Sequence, residues 1–168
     1  MEHTHTIRPL AVSDARDLLA LRIANREFMA PFDPVRPEEF FTLEAQTEIA
    51  RNAEGQRFAI LDDGELAGVI ALSNVVYETF RSANLGYWVD ARRNGRGLAT
   101  RAVAALVEHA FGPLALHRLE AGTLVDNVAS QRVLEKNRFE LIGLARNYLH
   151  IGGDWRDHLL FQRTAEEV

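Results

Sequence analysis

The segment Leu85-Gly86-Tyr87-Trp88-Val89-Asp90-Ala91-Arg92-Arg93-Asn94-Gly95-Arg96-Gly97-Leu98-Ala99 constrains the fold of this chain more than any other stretch. An aromatic and aliphatic run over Asn84–Val89 reads as a strand, and a short loop with two glycines carries it into a helical pattern over Leu98–Phe111. A strand that feeds a helix this directly belongs to a mixed α/β layer around one sheet. The first N–H groups of a helix lack internal partners, and the helix dipole is positive there. Glycines at 95 and 97 let such a backbone approach an anion closely, which is the physics of a pyrophosphate cradle. Arg92, Arg93 and Arg96 add charge-assisted donors. The same letters also suit a plain glycine-containing turn with solvated arginines. The loop is not a Walker loop, because no Gly-Lys-Ser/Thr follows, and Thr100 breaks Gly-x-Gly-x-x-Gly.

The rest of the chain reads in the same key. Thr4–Leu10 is expected as a strand, and Ser13 as the cap of a helix with Leu18, Leu19, Leu21, Ile23 and Ala24 at near-helical spacing. Pro31, Pro34 and Pro37 break the chain before a more polar helix from Glu38 to Arg51. Arg57–Leu61 and Leu66–Leu72 flank Asp62-Asp63-Gly64 as a hairpin. Helix Leu98–Phe111 is apolar almost all round, as packing deep on a sheet requires. Arg118–Val125 reads as a strand, Asn127–Asn137 as a helix, and Phe139–Gln162 as a hairpin about Gly152-Gly153. With 168 residues and no linker or repeat, residues 1–168 are expected to form one domain.

Charge and composition exclude several classes. The net charge is -5, split between -7 over residues 1–80 and +2 over residues 81–168. That argues against a nucleic-acid partner and for a local anion site in the second half. No run is long and apolar enough to span a membrane, so no membrane partner is expected. Met1-Glu2-His3-Thr4-His5-Thr6 lacks a basic head and apolar body, so the expected compartment is the cytoplasm. Zero cysteines leave no thiol nucleophile and no thiolate metal site. The six histidines (His3, His5, His109, His117, His150, His158) have no metal-ligand spacing, and no metal is expected.

Arg92-x-x-Gly95-x-Gly97-Leu98-Ala99 after an aromatic strand resembles the acetyl-CoA motif of the GNAT N-acetyltransferase superfamily, Gln/Arg-x-x-Gly-x-Gly/Ala. Asp126-Asn127-Val128-Ala129-Ser130-Gln131-Arg132-Val133-Leu134-Glu135-Lys136-Asn137-Arg138-Phe139 resembles a second segment of that family. It is most similar to the ribosomal-protein alanine N-acetyltransferase (RimJ/RimL) branch. Asn25-Arg26-Glu27-Phe28, Pro31-Phe32 and Glu38-Glu39 agree more loosely. The resemblance implies an α/β (α+β) GNAT fold: a twisted sheet of about seven strands, mixed but mostly antiparallel, flanked by about four helices. It also implies direct transfer of acetyl from acetyl-CoA to an amine, and a homodimer is common in the family.

On that resemblance the backbone of Arg93, Asn94, Gly95, Arg96, Gly97, Leu98 and Ala99 holds the pyrophosphate, with side-chain help from Arg92 or Arg96. Tyr87, Trp88 and Val89 pair with the pantetheine arm and offer an N–H to the developing oxyanion. Asn127 and Ser130 sit by the thiol, with Ser130 the candidate donor to the leaving thiolate. Asn127 is equally a good N-cap, and serine is ordinary in a first helical turn. Many relatives carry a tyrosine acid at the position held here by Leu134. The stretch Asn147-Tyr148-Leu149-His150 lacks the carboxylate that serves some relatives as base, so Glu120 and then His150 are the candidate bases. Phe28, Phe32, Phe40 and Phe41 are candidate walls of the acceptor groove. Three functions stay open: acetylation of a protein or peptide N-terminus, acetylation of a small amine such as an aminoglycoside, polyamine or amino-acid derivative, and non-catalytic acyl-CoA sensing. A deep acidic acceptor pocket would favour the small amine.

Overall fold

The computed structural model describes residues 6–52 and 56–166. Seven strands form one sheet: β1 (Ile7–Pro9), β2 (Arg57–Asp62), β3 (Glu65–Val76), β4 (Ser82–Val89), β5 (Arg118–Leu124), β6 (Glu140–Ile151) and β7 (Asp154–Thr164). Their order is β1-β2-β3-β4-β5-β7-β6. Among the described residues only β4 and β5 run parallel, joined by a helical crossover, as a parallel pair demands. The helices are α1 (Ala15–Ala24), α2 (Arg26–Met29), α3 (Leu43–Arg51), α4 (Leu98–Phe111) and α5 (Val128–Lys136). The expected mixed sheet of seven strands is therefore present, with five helices once the single turn of α2 is counted.

Alternation along β3 divides the core between the two faces. Ile70 and Leu72 pack with Val103, Leu106 and Ala110 of α4 on one face. Val69 packs with Leu18 and Leu21 of α1 and Ala50 of α3 on the other. Leu106 is wholly buried, so truncating it to alanine should cost about 2–5 kcal/mol.

Local chemistry moves several element ends. Ser13 falls inside a 3-10 turn, Val12–Asp14, and caps nothing. Asp14 does the ordering instead, accepting the Ala11 N–H at 2.8 Å and two bonds from Arg8 at 2.7 Å. The helix expected over 38–51 is broken at Thr42, which is extended (φ -120°, ψ 155°) and accepts the Ala45 N–H. Glu38–Phe41 before it is a 3-10 turn. The first strand shortens to Ile7–Pro9; residues 4 and 5 of the expected strand lie outside the described residues. The Asp63-Gly64 turn matches its expectation, with both residues at positive φ.

The feature that creates a site is a failure of pairing. β4 and β5 are in register only at Ser82↔Arg118, Ala83↔Leu119 and Asn84↔Glu120. Beyond that point β4 follows β3 as far as Val89↔Gly68, while β5 follows β7 as far as Leu124↔His158. Gly68 permits the first attachment, because a Cβ there would meet the Trp88 carbonyl oxygen at 2.2 Å. The two strands thus splay apart, and the inward backbone edge of Leu85–Val89 has no β5 partner.

Candidate active site

The glycine loop is held from below. Asn25, at the α1–α2 junction, accepts the Ala91 N–H at 2.8 Å and donates to Asp90 Oδ1 at 3.1 Å. Asp90 also accepts from the Arg92 backbone at 3.3 Å and its guanidinium at 3.1 Å. Burial pushes the Asp90 carboxyl up, but the bonds from Arg92 and Asn25 outweigh it and hold it below the usual carboxylate range. A 3-10 turn over Ala91–Arg93 then leads to Gly95 and Gly97, at φ +76° and +73°. A left-handed backbone is why glycine stands at both, since little or nothing would crowd a Cβ there. Gly97 caps α4, and the first helical bond is Arg101 N–H to the Gly97 carbonyl at 3.1 Å. The N–H groups of Leu98, Ala99 and Thr100 are left without helical acceptors, which fits an anion cradle.

The loop arginines are engaged rather than idle. Arg93 bridges Asp62 at 3.0 Å and Glu65 at 2.6 Å, and the Glu65 bond chiefly raises its pKa. Arg96 bonds Asp62, and Arg92 bonds Asp90. Arg93 is therefore a brace between the loop and the β2–β3 turn. The exposed heads of Arg92 and Arg96 remain able to turn toward a phosphate.

The β4–β5 splay opens a groove of about 480 Å³, ample for the reacting ends of two ligands. Leu85–Trp88 line one wall and Ala121–Leu124 the other, with Asn127, Ser130 and His158 beside them. Asn127 caps α5 by accepting the Ser130 N–H at 3.2 Å, which fixes the first turn that presents Ser130. The Ser130 hydroxyl lies 2.8 Å from the Tyr87 hydroxyl. Burial pushes the Tyr87 phenol up to about 12, with the Ser130 bond pulling weakly the other way. It stays protonated at neutral pH. Trp88 Nε1 and Thr123 Oγ1, of residues that line this groove, are buried without hydrogen-bond partners among the described residues. Orphaned polar groups of this kind suit a polar ligand.

Tyr87 and Trp88 are consecutive on β4 and so point to opposite faces. Tyr87 packs with the α4–α5 core and Trp88 with the α1–α3 core, yet both line the groove. The groove therefore runs through the sheet. Its α1–α3 end is walled by Arg22, Phe32, Asp33, Arg36 and Phe40.

Of the residues singled out from sequence, Tyr87, Trp88, Asn127 and Ser130 converge on the groove, and the loop residues 92–99 gather at the start of α4. Val89 is buried in the α4 core instead. Glu120 stands at the last paired rung of β4 and β5, beside Arg118 at 3.5 Å, and does not line the groove. His150 is exposed near the β6–β7 turn against the Trp155 ring and does not line it either. Phe32 and Phe40 do line it; Phe41 lines a neighbouring cavity of about 260 Å³, and Phe28 packs against Phe32. The α1–α3 end of the groove is basic rather than acidic, with Arg22, Arg36 and Arg57 against Asp33. His3 and His5 lie outside the described residues.

Sequence reasoning missed His158, which is 4% exposed and faces the groove from β7. Its Nδ1 lies 3.0 Å from the Arg156 carbonyl, which can only accept, so Nδ1 carries hydrogen, and in the neutral ring the lone pair is then on Nε2. Its signal was present in the alternation of β7, but the register against β5 could not be read. The Tyr87 phenol was missed for the same reason, since only the tertiary fold brings it to Ser130.

Residues 5–140 match the family model of the acetyltransferase (GNAT) domain. The chain is 37% identical to the probable N-acetyltransferase YjcK of Bacillus subtilis (strain 168), covering 90% of this chain and 89% of that protein. It is 31% identical to the [ribosomal protein uS5]-alanine N-acetyltransferase of Escherichia coli (strain K12), covering 92% and 84%. Its fold superposes on Mycobacterium smegmatis RimJ in complex with CoA-disulfide with a TM-score of 0.90 at 35% identity, covering 96% of this chain and 82% of that one. The family match and the relatives agree with the loop and the splayed strands: this chain is an acetyltransferase of the GNAT family.

Proposed function

We propose that this chain is a single-domain enzyme that acetylates the N-terminal α-amine of a protein or peptide, with acetyl-CoA as donor. The observation that carries the reading is the groove through the sheet, which lets donor and acceptor enter from opposite faces and meet beside Ser130 and His158. The relatives named for ribosomal-protein alanine acetylation support the acceptor class. The arginine-walled acceptor end opposes a polycationic amine by like-charge repulsion.

Acetyl-CoA supplies an acetyl carbonyl activated as a thioester. The N–H groups at the start of α4 would hold its pyrophosphate, and the unpaired edge of Leu85–Val89 its pantetheine arm. An N–H from that edge stabilises the carbonyl oxygen as it gains charge, an effect typically of about 3–4 kcal/mol. The Tyr87 and Ser130 hydroxyls share one bond, and with Tyr87 as its donor the Ser130 proton is free to bond the departing sulfur. A phenol near 12 would surrender its proton to a thiolate of ordinary pKa ~8.5 at a cost of about 5 kcal/mol. Tyr87 therefore polarises Ser130 and keeps its own proton. His158 Nε2 is the base that takes the amine proton. Its task is light for an α-amine, of which roughly a tenth is already neutral at pH 7, and about 3.5 kcal/mol heavier for a lysine.

A cytoplasmic location belongs to this proposal, and among the described residues no helix is long and apolar enough to cross a membrane. So does a homodimer, for which the exposed Leu141, Ile142 and Leu144 on edge strand β6 speak. The test is a peptide with a free N-terminus and an internal lysine, incubated with acetyl-CoA and sequenced by mass spectrometry. Acetyl on the α-amine is the expected result. Acetyl on the lysine alone, or on neither amine, overturns the reading.

A further inference from the structure

The acceptor end holds a cation that acetyl transfer does not use. Arg22 is 15% exposed in its side chain, and its guanidinium lies 4.3 Å from the Trp88 ring centre and 5.3 Å from that of Phe40. Among the described residues its Nε is buried without a hydrogen-bond partner, and its nearest carboxylate oxygen, on Asp33, is 3.9 Å away. Asp33 is already taken: Arg36 bonds its two oxygens at 3.1 and 3.2 Å while its own guanidinium lies over Phe40. Two stacked guanidiniums thus share one carboxylate, and the more buried of them has no good partner.

Burial pulls Arg22 down to about 10, so it is still charged at neutral pH. A buried cation without a counter-charge is costly, and the planar fork of arginine matches a carboxylate edge-on. Both side chains line the groove, Arg22 over the Trp88 ring and Arg36 over the Phe40 ring, and the N–H groups not bonded to Asp33 are what each can offer a ligand.

Resting on the α-amine reading above, we infer that Arg22 and Arg36 form a carboxylate subsite that selects acceptor peptides with an acidic side chain within the first few residues. The cluster lines the same groove as Ser130 and His158, so the carboxylate and the amine belong to one short segment. A lysine or arginine in that position meets cations and is rejected.

The experiment compares kcat/KM for three peptides that start with the same residue and carry Glu, Gln or Lys at positions two and three. Glutamate and other small carboxylate-bearing amines form a fourth arm. A charge-assisted bond in a buried groove gives a preference for Glu over Gln of about tenfold or more, falling as salt rises. Arg22→Gln should erase that preference chiefly through KM, and the half-exposed Arg36→Gln should reduce it should the first variant fail to fold. Equal rates on the Glu and Gln peptides overturn the subsite and leave α-amine acetylation standing. Turnover of the small amines with none of any peptide overturns the subsite's peptide assignment together with the reading of a protein or peptide N-terminus as acceptor.

Discussion

Asn25→Ala tests how the glycine loop is held. Asn25 is 2% exposed and makes three side-chain bonds: to the Leu21 carbonyl at 2.9 Å, to Asp90 at 3.1 Å, and from the Ala91 N–H at 2.8 Å. The Leu21 carbonyl keeps the Asn25 backbone N–H in the variant, so that loss is small. The Ala91 N–H loses its acceptor, and Asp90, 1% exposed, loses a donor while keeping Arg92. An unsatisfied buried N–H costs about 1–3 kcal/mol, and a lost bond to a charged group about the same, so we expect roughly 3 kcal/mol in all. For a chain of this length each kcal/mol moves the melting temperature by about 2–4 °C, which makes the expected fall about 6–12 °C. The assay is thermal denaturation by circular dichroism, paired with KM for acetyl-CoA, which should rise because Asp90 and Ala91 open the loop. Asn25→Asp sharpens the test by setting a second carboxylate against Asp90. One of the two then titrates above its unfolded value, so the destabilisation is greatest above that raised pKa and recedes as pH falls. A melting temperature for Asn25→Ala within about 2 °C of wild type would refute the reasoning.

Other expectations follow from single contacts. Tyr87→Phe removes the 2.8 Å bond to Ser130, and kcat should fall about five- to tenfold with KM for acetyl-CoA nearly unchanged; a loss of a thousandfold would mean that the phenol transfers its proton. His158→Gln should lower kcat/KM by about 10²–10⁴, and a loss of less than about twofold would remove His158 as base. Asp14 is held below its usual pKa by its bond to Arg8, so its contribution is present above the unfolded pKa and is lost as pH falls through the folded one. With Arg8 partly exposed the effect is about 1 kcal/mol: Asp14→Asn should melt lower than wild type at pH 7, with the gap closing in acid.

The glycine loop and the start of α5 were legible in the sequence because their physics is local. Gly95 and Gly97 are needed by a left-handed backbone at a helix start, and Asn127 caps the turn that carries Ser130, so both leave a local mark, to which the family resemblance attached a role. The α1–α3 end of the groove was not legible. Arg22, Asp33 and Trp88 meet only because α1, the loop after α2 and β4 fold together, and His158 enters through its register with Leu124. Glu120 illustrates the converse: a carboxylate on the right strand sits one rung below the splay, a fact fixed by the pairing of β4 with β5. Thr42 and Ser13 show local competition, where a hydroxyl that caps and one that does not differ by the contacts of their neighbours.

The most direct test of the central assignment is a calorimetric titration of the protein with acetyl-CoA, set against a Gly95→Val, Gly97→Val double variant. β-Branched residues at φ near +75° strain the loop by about 1–2 kcal/mol each, which distorts the cradle while leaving the sheet intact. Micromolar binding by the wild type that the folded variant loses is the expected result. Folded wild type that binds no acetyl-CoA, or a variant that binds it equally well, would contradict the assignment of the glycine loop and the β4–β5 opening as the donor site.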